Sequence, residues 1–121
     1  MSTKKVLVVD DTAAHLQQMK EIVSAAGYQV ITATSGREAV EKTRQEKPDM
    51  VFLDIVMDDL DGYGACREIT RDEDTKDIPV VFVSTKNQRA DRLWAEKQGA
   101  RALLSKPVNS DEIINNLNTY I

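Results

Sequence analysis

The sequence is poor in cysteine and has no long hydrophobic run. Its 121 residues include one cysteine, Cys66, which cannot form an internal disulfide or build a zinc site alone. We therefore expect a reducing, cytoplasmic compartment. The first apolar run, Val6–Val9, stops at Asp10 and Asp11, short of the roughly 7–15 residues of a signal-peptide core. No stretch approaches the ~20 apolar residues of a membrane span, so secretion and membrane insertion are not expected.

The sequence also lacks an excess of basic residues. Sixteen Lys and Arg residues stand against 20 Asp and Glu residues, which gives a net charge of −4 at neutral pH. Because nucleic-acid-binding domains present a basic surface, no nucleic-acid partner is expected. Hydrophobic residues make up 41% and charged residues 30%, the balance of a globular chain. With no repeat or linker in the sequence, we expect one domain over residues 1–121.

Short aliphatic runs alternate with segments of helical spacing. The runs are continuous rather than alternating, which is typical of strands buried on both faces of a parallel sheet. They lie at residues 6–9, 30–33, 50–53, 80–83 and 102–104. Five strand–helix units with right-handed connections predict an α/β fold, a (βα)5 doubly wound parallel sheet.

The helices are predicted from apolar stripes and from their end signals. The stripes run over Leu16–Ala26, Ala39–Thr43, Ala90–Lys97 and Ile113–Ile121. Gly27 and Gly99 stand where two helices would end in a left-handed residue, and Ser110 stands where the last helix would be capped. A further helix is predicted between Tyr63 and Thr70. The stripe of the fourth helix comprises Ala90, Leu93, Trp94 and Lys97, and Trp94 suits either the core or a partly exposed surface.

Polar side chains follow most of the predicted strands. Asp10 and Asp11 follow the first strand, Asp54 ends the third, Ser84 ends the fourth and Lys106 follows the fifth. We adopt the flavodoxin-like strand order 2-1-3-4-5 from known doubly wound sheets. In that order the first and third strands are neighbours, and ligands bind beyond their carboxyl ends. We therefore expect the three carboxylates to converge at this edge.

This set of groups suits one kind of chemistry. Three adjacent carboxylates repel one another, and a divalent cation such as Mg²⁺ relieves that repulsion while leaving room for a phosphoryl oxygen. Lys106 adds a positive charge and Ser84 a hydroxyl donor. Taken singly, the aspartate pair could be a helix cap and the Lys-Pro step a turn. Their conjunction favours phosphoryl transfer to an aspartyl nucleophile with Mg²⁺ as cofactor.

The same residues resemble the receiver domain of bacterial response regulators. The matching motifs are Val-Val-Asp-Asp at 8–11, Leu-Asp-Ile-Val-Met at 53–57, Asp61-Gly62, Ser84 and Lys106-Pro107, and the resemblance covers the whole chain. It implies that Asp54 accepts a phosphoryl group from a phosphohistidine. It further implies that Mg²⁺ is held by Asp10, Asp11, Asp54 and the Val56 carbonyl. Ser84 would then bind the phosphoryl group and Lys106 would pair with it, with a cis bond before Pro107.

The resemblance also implies a role and a set of partners. The protein would be a single-domain, monomeric receiver of the chemotaxis kind, a signalling protein rather than an enzyme. Its partners would be a histidine kinase and a motor or other signalling protein, and it could also act as a phosphate sink. The local sequence at residues 45–49, 84–86 and 94–100 is most similar to that of twitching-motility (type IV pilus) regulators.

The sequence departs from the receiver pattern at two positions. Asp58 stands where a proline usually follows Met57, which loosens the loop and adds charge near the metal. Leu103 replaces the usual aromatic residue three positions before Lys106, so this chain has no ring at that position to couple to the Ser84 hydroxyl. An alternative therefore stays open, namely a receiver-like interaction module that works without phosphorylation.

Two other site classes fit less well. Haloacid-dehalogenase-type phosphatases need a second aspartate two residues after the nucleophile, where this chain has Val56. An EF-hand would match Asp59, Asp61, Gly62 and Glu68, but its first ligand position is Met57, which cannot bind a hard cation. His15 is interpreted as a partly buried helix residue rather than a ligand, and Cys66 as a small buried residue.

Overall fold

A computed structural model describes residues 3–121, which form five strands and five helices in strict alternation. The strands are β1 (Lys5–Val9), β2 (Gln29–Ala33), β3 (Met50–Leu53), β4 (Val80–Ser84) and β5 (Ala102–Ser105). The helices are α1 (Ala13–Ala25), α2 (Gly36–Glu46), α3 (Gly62–Arg71), α4 (Arg89–Lys97) and α5 (Ser110–Tyr120). All the predicted elements are present, including α3. No helix within this range is long and apolar enough to cross a membrane.

The sheet is parallel and its order is β2-β1-β3-β4-β5, which confirms the predicted topology. β1 lies between β2 and β3, and its last residue, Val9, is in register with Ala33 on one side and Leu53 on the other. The carboxyl ends of β1 and β3 are therefore adjacent. Residues that directly follow these two strands are brought together at one edge of the sheet.

Both faces of the sheet are covered, which explains the continuous apolar runs of the strands. On one face, α1 and α5 pack their buried residues Met19, Val23, Ile113 and Leu117 against β1, β3 and β4. On the other face lie the buried residues of α2, α3 and α4. Alternate residues of β1, such as Val6 and Leu7, belong to opposite cores, and both are fully buried.

The apolar stripe of α4 lies on the exposed face of the helix, so the partly exposed alternative for Trp94 is the correct one. Leu93 and Trp94 are 52% and 46% exposed, and Ala90 and Lys97 are also exposed. The buried residue of this helix is Ala95. A methyl side chain lets the helix lie close to the sheet, and the large apolar side chains project outward. Helical spacing alone does not reveal this arrangement, because exposed apolar residues have the same period as buried ones.

Helix ends agree with the sequence in part. Gly27 and Gly99 adopt left-handed φ values of 97° and 94°, as predicted. The cap of α5, however, is Asn109 rather than Ser110. The Asn109 side-chain oxygen accepts hydrogen bonds from the backbone N–H groups of Asp111 and Glu112, and Ser110 is the first residue of the helix.

Cys66 is a small buried residue, as predicted. Its side chain is fully buried in α3, and the thiol donates to the Gln98 carbonyl at 3.3 Å. Burial raises the pKa of the Cys66 thiol to about 12, partly countered by the charge of Arg67. The thiolate needed for redox chemistry is therefore scarce at neutral pH.

Candidate functional site

Three carboxylates converge beyond the ends of β1 and β3. Asp10 and Asp54 are almost fully buried, at 3% and 7% exposure, whereas Asp11 is exposed to solvent. One carboxylate oxygen from each residue lies within 4.8 Å of the others. The predicted cluster of Asp10, Asp11 and Asp54 is therefore present in the fold.

The backbone fixes the two buried carboxylates. The N–H of Asp54 donates to the Val9 carbonyl at 3.1 Å, which extends the pairing of β1 and β3 by one step. Asp54 Oδ1 accepts from the N–H of Ile55 at 2.8 Å, and Asp10 Oδ1 accepts from the N–H of Thr12 at 2.9 Å. One oxygen of each carboxylate is thus held by the chain, and Oδ2 of each contacts a side chain across the site.

That side chain is Lys106, which follows β5. Its Nζ lies 2.7 Å from Asp10 Oδ2 and 3.4 Å from Asp54 Oδ2, and only 9% of the side chain is exposed. The peptide bond between Lys106 and Pro107 is cis, as the resemblance implies. The ammonium therefore partly neutralises two buried carboxylates, and it lies closer to Asp10 than to Asp54.

Asp54 remains electrostatically disfavoured despite this cation. Burial raises the pKa of Asp54 above its ordinary value, and the neighbouring Asp10 carboxylate raises it further. The charge of Lys106 and the hydrogen bond from Ile55 lower it, but they do not offset the burial. A divalent cation among the three carboxylates would remove the remaining repulsion.

The donor set fits a hard cation. The cluster offers carboxylate oxygens only, and one of the three residues lies in contact with solvent, which leaves room for water ligands. Mg²⁺ prefers oxygen ligands of this type and usually retains several waters. Asp10, Asp11 and Asp54 could hold it.

The structure places the other predicted site residues at the same edge of the sheet without joining them to the cluster by a hydrogen bond. Ser84 is fully buried at the end of β4, where its hydroxyl accepts from the N–H of Lys86 at 3.1 Å. Val56 lies two residues beyond Asp54 in the connection to α3, and the residue is 59% exposed. The Lys106 N–H donates to the Ser84 carbonyl at 3.0 Å, which ties the ends of β4 and β5 together.

The acidic segment that resembles a calcium loop is occupied by other contacts. Asp59 accepts hydrogen bonds from the backbone of α2, and Asp61 caps α3 by accepting from the N–H of Gly64. Glu68 lies within α3 and pairs with Arg37 at 3.3 Å. Among residues 3–121, the one group of carboxylates with metal-ligand spacing is Asp10, Asp11 and Asp54.

The sequence interpretation did not place His15 next to the site. Its ring lies in the first part of α1, and Nδ1 is 3.0 Å from Lys106 Nζ and 3.9 Å from Asp10 Oδ2. The residue is partly buried, as expected, but it also forms one wall of the site. A signal was present, because α1 begins directly after Asp10 and Asp11, so its first turns border the same sheet edge.

The sequence interpretation also missed Tyr63, which links α3 and β4 to α4. Its hydroxyl lies 3.3 Å from the Asp91 carboxylate, and that carboxylate forms a 3.1 Å ion pair with Lys86. The ring packs edge-on against Phe82 and against Trp94, with centroids 5.5 and 6.4 Å apart. The buried aromatic ring next to α4 thus comes from α3, whereas β5 contributes Leu103.

Comparison with known proteins agrees with this geometry. A family described as "Response regulator receiver domain" matches residues 6–118. Protein PilH of Pseudomonas aeruginosa is 39% identical over 117 residues, which cover 97% of each protein. The chemotaxis protein CheY4 of Vibrio cholerae superposes with a TM-score of 0.92 at 27% identity, over 99% of this chain and all of that one.

One further structure shares the fold. The receiver domain of the sensor histidine kinase PA1611 from Pseudomonas aeruginosa superposes with a TM-score of 0.91 at 24% identity, over 98% of each chain. That protein was crystallised with a magnesium ion coordinated in its active-site cleft.

Proposed function

The chain belongs to the response regulator receiver domain family, and from that premise we propose that Asp54 accepts a phosphoryl group from the phosphohistidine of a kinase. Receiver domains are signalling modules that accept phosphoryl groups from histidine kinases and interact with other signalling proteins. The observation that carries the proposal is the position of Asp54. It is a buried carboxylate with a raised pKa, set between two further carboxylates and a buried lysine.

The nucleophile of the transfer is the Asp54 carboxylate. An Asp54 carboxylate oxygen attacks the phosphorus, the P–N bond of the phosphohistidine breaks, and the imidazole leaves with the bonding electrons and takes up a proton from solvent. The product is an acyl phosphate on Asp54. Mg²⁺ held by Asp10, Asp11, Asp54 and the Val56 carbonyl would neutralise charge on the transferring group.

Ser84 and Lys106 respond to the new charge. The Ser84 hydroxyl accepts one hydrogen bond, from the N–H of Lys86, so its own proton remains free to be donated to a phosphoryl oxygen. The Lys106 ammonium lies 3.4 Å from Asp54 and would exchange a carboxylate partner for the phosphoryl group. These two changes supply the differential contacts on which any output must depend.

For the pathway, we propose a chemosensory system that controls type IV pilus twitching motility. Similarity to PilH over nearly the full length of both proteins supports this assignment. The segments 45–49, 84–86 and 94–100, which resemble twitching-motility regulators, support it as well. The output would be altered binding of a motor or other signalling protein, or the draining of phosphate from the kinase. The cytoplasm is the proposed compartment, in agreement with the free, buried thiol of Cys66.

Two observations favour a second candidate function. Leu103 takes the place of the switch aromatic, and Leu93 and Trp94 leave an apolar surface exposed on α4. A receiver-like module that binds its partner through α4 without phosphorylation would need no switch. The complete set of acceptor-site residues favours the phosphorylated form of the proposal.

Phosphate incorporation separates the two candidates. The protein is incubated with a small phosphodonor and Mg²⁺, and its intact mass is compared with that of the Asp54→Asn variant and of a chelated sample. We expect one phosphoryl group on the native protein and none in either control. Labelling that survives in the variant or in the chelator contradicts the proposed site. If the native protein is not labelled under any condition, the result favours the module that works without phosphorylation.

A further inference from the structure

A carboxylate outside the Asp10, Asp11 and Asp54 cluster, that of Asp59, holds the loop that carries Val56. The β3–α3 loop comprises residues 54–61, and Asp59 in it contacts the start of α2. Asp59 Oδ1 accepts from the N–H of Gly36 at 3.1 Å, and Oδ2 accepts from the N–H of Arg37 at 3.2 Å. The first N–H groups of a helix have no acceptor within that helix. One side chain of the loop therefore satisfies two of them.

Backbone packing reinforces this contact. A Cβ at Gly36 would overlap the Leu60 carbonyl, and a Cβ at Gly62 would overlap the Asp54 carbonyl. The loop is also closed by a 2.7 Å hydrogen bond from the N–H of Gly62 to the Ile55 carbonyl. The start of α2, the loop and the start of α3 are thus in direct backbone contact, which only glycine permits at these positions.

The charge on Asp59 strengthens the contact. The backbone N–H of Leu60, with those of Arg37 and Gly36, holds the pKa of Asp59 below its ordinary value. The side chain is therefore ionised at neutral pH. A carboxylate at a helix N-terminus forms charge-assisted hydrogen bonds and interacts favourably with the helix dipole.

The neighbouring residue, Asp58, is a natural contrast. It is exposed, and among residues 3–121 it forms neither a hydrogen bond nor an ion pair. A proline at this position would restrict the backbone of the loop, whereas aspartate leaves it free. Val56 itself is outward-facing between the buried residues Ile55 and Met57. The direction of its carbonyl depends on how firmly the rest of the loop is held.

We propose that Asp59 is a positioning residue of the metal site, because it clamps the β3–α3 loop to α2 and so fixes the segment that presents the Val56 carbonyl. The clamp does for this chain what a proline at position 58 would otherwise do. This inference rests on the proposed function, since it assigns Asp59 a role in Mg²⁺ binding. Asp59 does not touch the cation and acts through the loop.

The test compares Asp59→Ala with Asp58→Ala. Both variants lose one negative charge from adjacent exposed positions, so general electrostatic effects on Mg²⁺ are closely matched. Mg²⁺ is titrated and binding is followed by backbone amide NMR. We expect Asp59→Ala to weaken Mg²⁺ binding by about fivefold relative to Asp58→Ala, which is the change produced when the ~1 kcal/mol of one helix cap stabilises the Mg²⁺-bound loop only.

Two further measurements distinguish the clamp from a general loss of fold. Hydrogen exchange at the Gly36 and Arg37 amides should quicken in Asp59→Ala only. The initial rate of phosphorylation should fall at limiting Mg²⁺ and return to that of Asp58→Ala at saturating Mg²⁺. A rate that stays low at saturation overturns the proposal, because the defect would then lie beyond metal binding.

Native protein and Asp11→Ala separate this inference from the proposed function. If both bind Mg²⁺ equally, the proposed metal site is wrong, and with it the role of Asp59. If Asp11→Ala loses Mg²⁺ while the two loop variants bind alike, the metal site stands and the clamp alone is overturned.

Discussion

Replacing Lys106 by methionine tests whether Mg²⁺ can neutralise the buried carboxylates in place of the Lys106 ammonium. Methionine keeps the length of the side chain but removes its charge. In the native protein Nζ lies 2.7 Å from Asp10 Oδ2 and 3.4 Å from Asp54 Oδ2, with no more than 9% of any of the three side chains exposed. The variant leaves two buried carboxylates facing each other with no cation.

The expected cost follows from these distances. At 3.4 Å and an effective dielectric constant of about 20, two unit charges attract by about 5 kcal/mol. Desolvation of the ions reduces the net value, and truncating one partner of a buried pair costs about 3–5 kcal/mol. We therefore expect Lys106→Met to lose about 3 kcal/mol of unfolding free energy without divalent cations. In saturating Mg²⁺, which supplies the missing charge, the loss should be less than half of the value without divalent cations.

The assay is urea unfolding followed by circular dichroism, with chelator and with Mg²⁺. Lys76→Met is a suitable control because Lys76 pairs with Glu73 at 3.1 Å on the surface, where Glu73 is 86% exposed. That variant should lose less than about 1 kcal/mol in both buffers. An equal loss of unfolding free energy for Lys106→Met with and without Mg²⁺ would refute the reasoning, because the metal would then not neutralise the carboxylates that the ammonium contacts.

Three other predictions concern Asp54, Val56 and Leu103. Because the folded-state pKa of Asp54 is raised, its ionisation opposes folding, so Asp54→Asn should stabilise the metal-free protein at neutral pH. That gain should disappear as the pH falls through the raised pKa towards 3.8, and a gain independent of pH in urea unfolding would be contrary to the assignment. Val56→Asn should speed autodephosphorylation of the acyl phosphate, because an amide can orient the attacking water and valine cannot; an unchanged decay rate counts against this. Since Leu103 has no ring to move behind Ser84, phosphorylation should change partner affinity by less than about a hundredfold, or ~2.7 kcal/mol, in a titration of motor components and kinase fragments. A larger change would show that another group, such as Tyr63, replaces the aromatic.

The sequence predicts the framework of the site because its signals are local and chemically distinct. Continuous aliphatic runs are diagnostic of strands covered on both faces, and Asp10, Asp11 and Asp54 directly follow two of them. Once those strands are neighbours, the chain has no freedom to separate the carboxylates. The same argument holds for Lys106, which reaches the cluster because β5 ends at the same edge of the sheet.

What the sequence does not predict depends on contacts between distant segments. The outward face of α4 is decided by the small Ala95 against the sheet, which helical periodicity does not reveal. Asn109 and Ser110 are both good caps, and only the backbone geometry selects Asn109. The Asp59 contact joins residues 22 and 23 positions apart, and nothing in the acidic segment itself indicates that its acceptors face α2.

The most direct test of the central claim is to locate the phosphoryl group. The protein is phosphorylated by the phosphohistidine form of a chemosensory kinase in Mg²⁺, reduced with borohydride to convert the acyl phosphate to homoserine, and sequenced by tandem mass spectrometry. We predict homoserine at position 54 alone, lost in chelator and in Asp54→Asn. Homoserine at Asp10, Asp11 or any other carboxylate in the native protein would contradict the account.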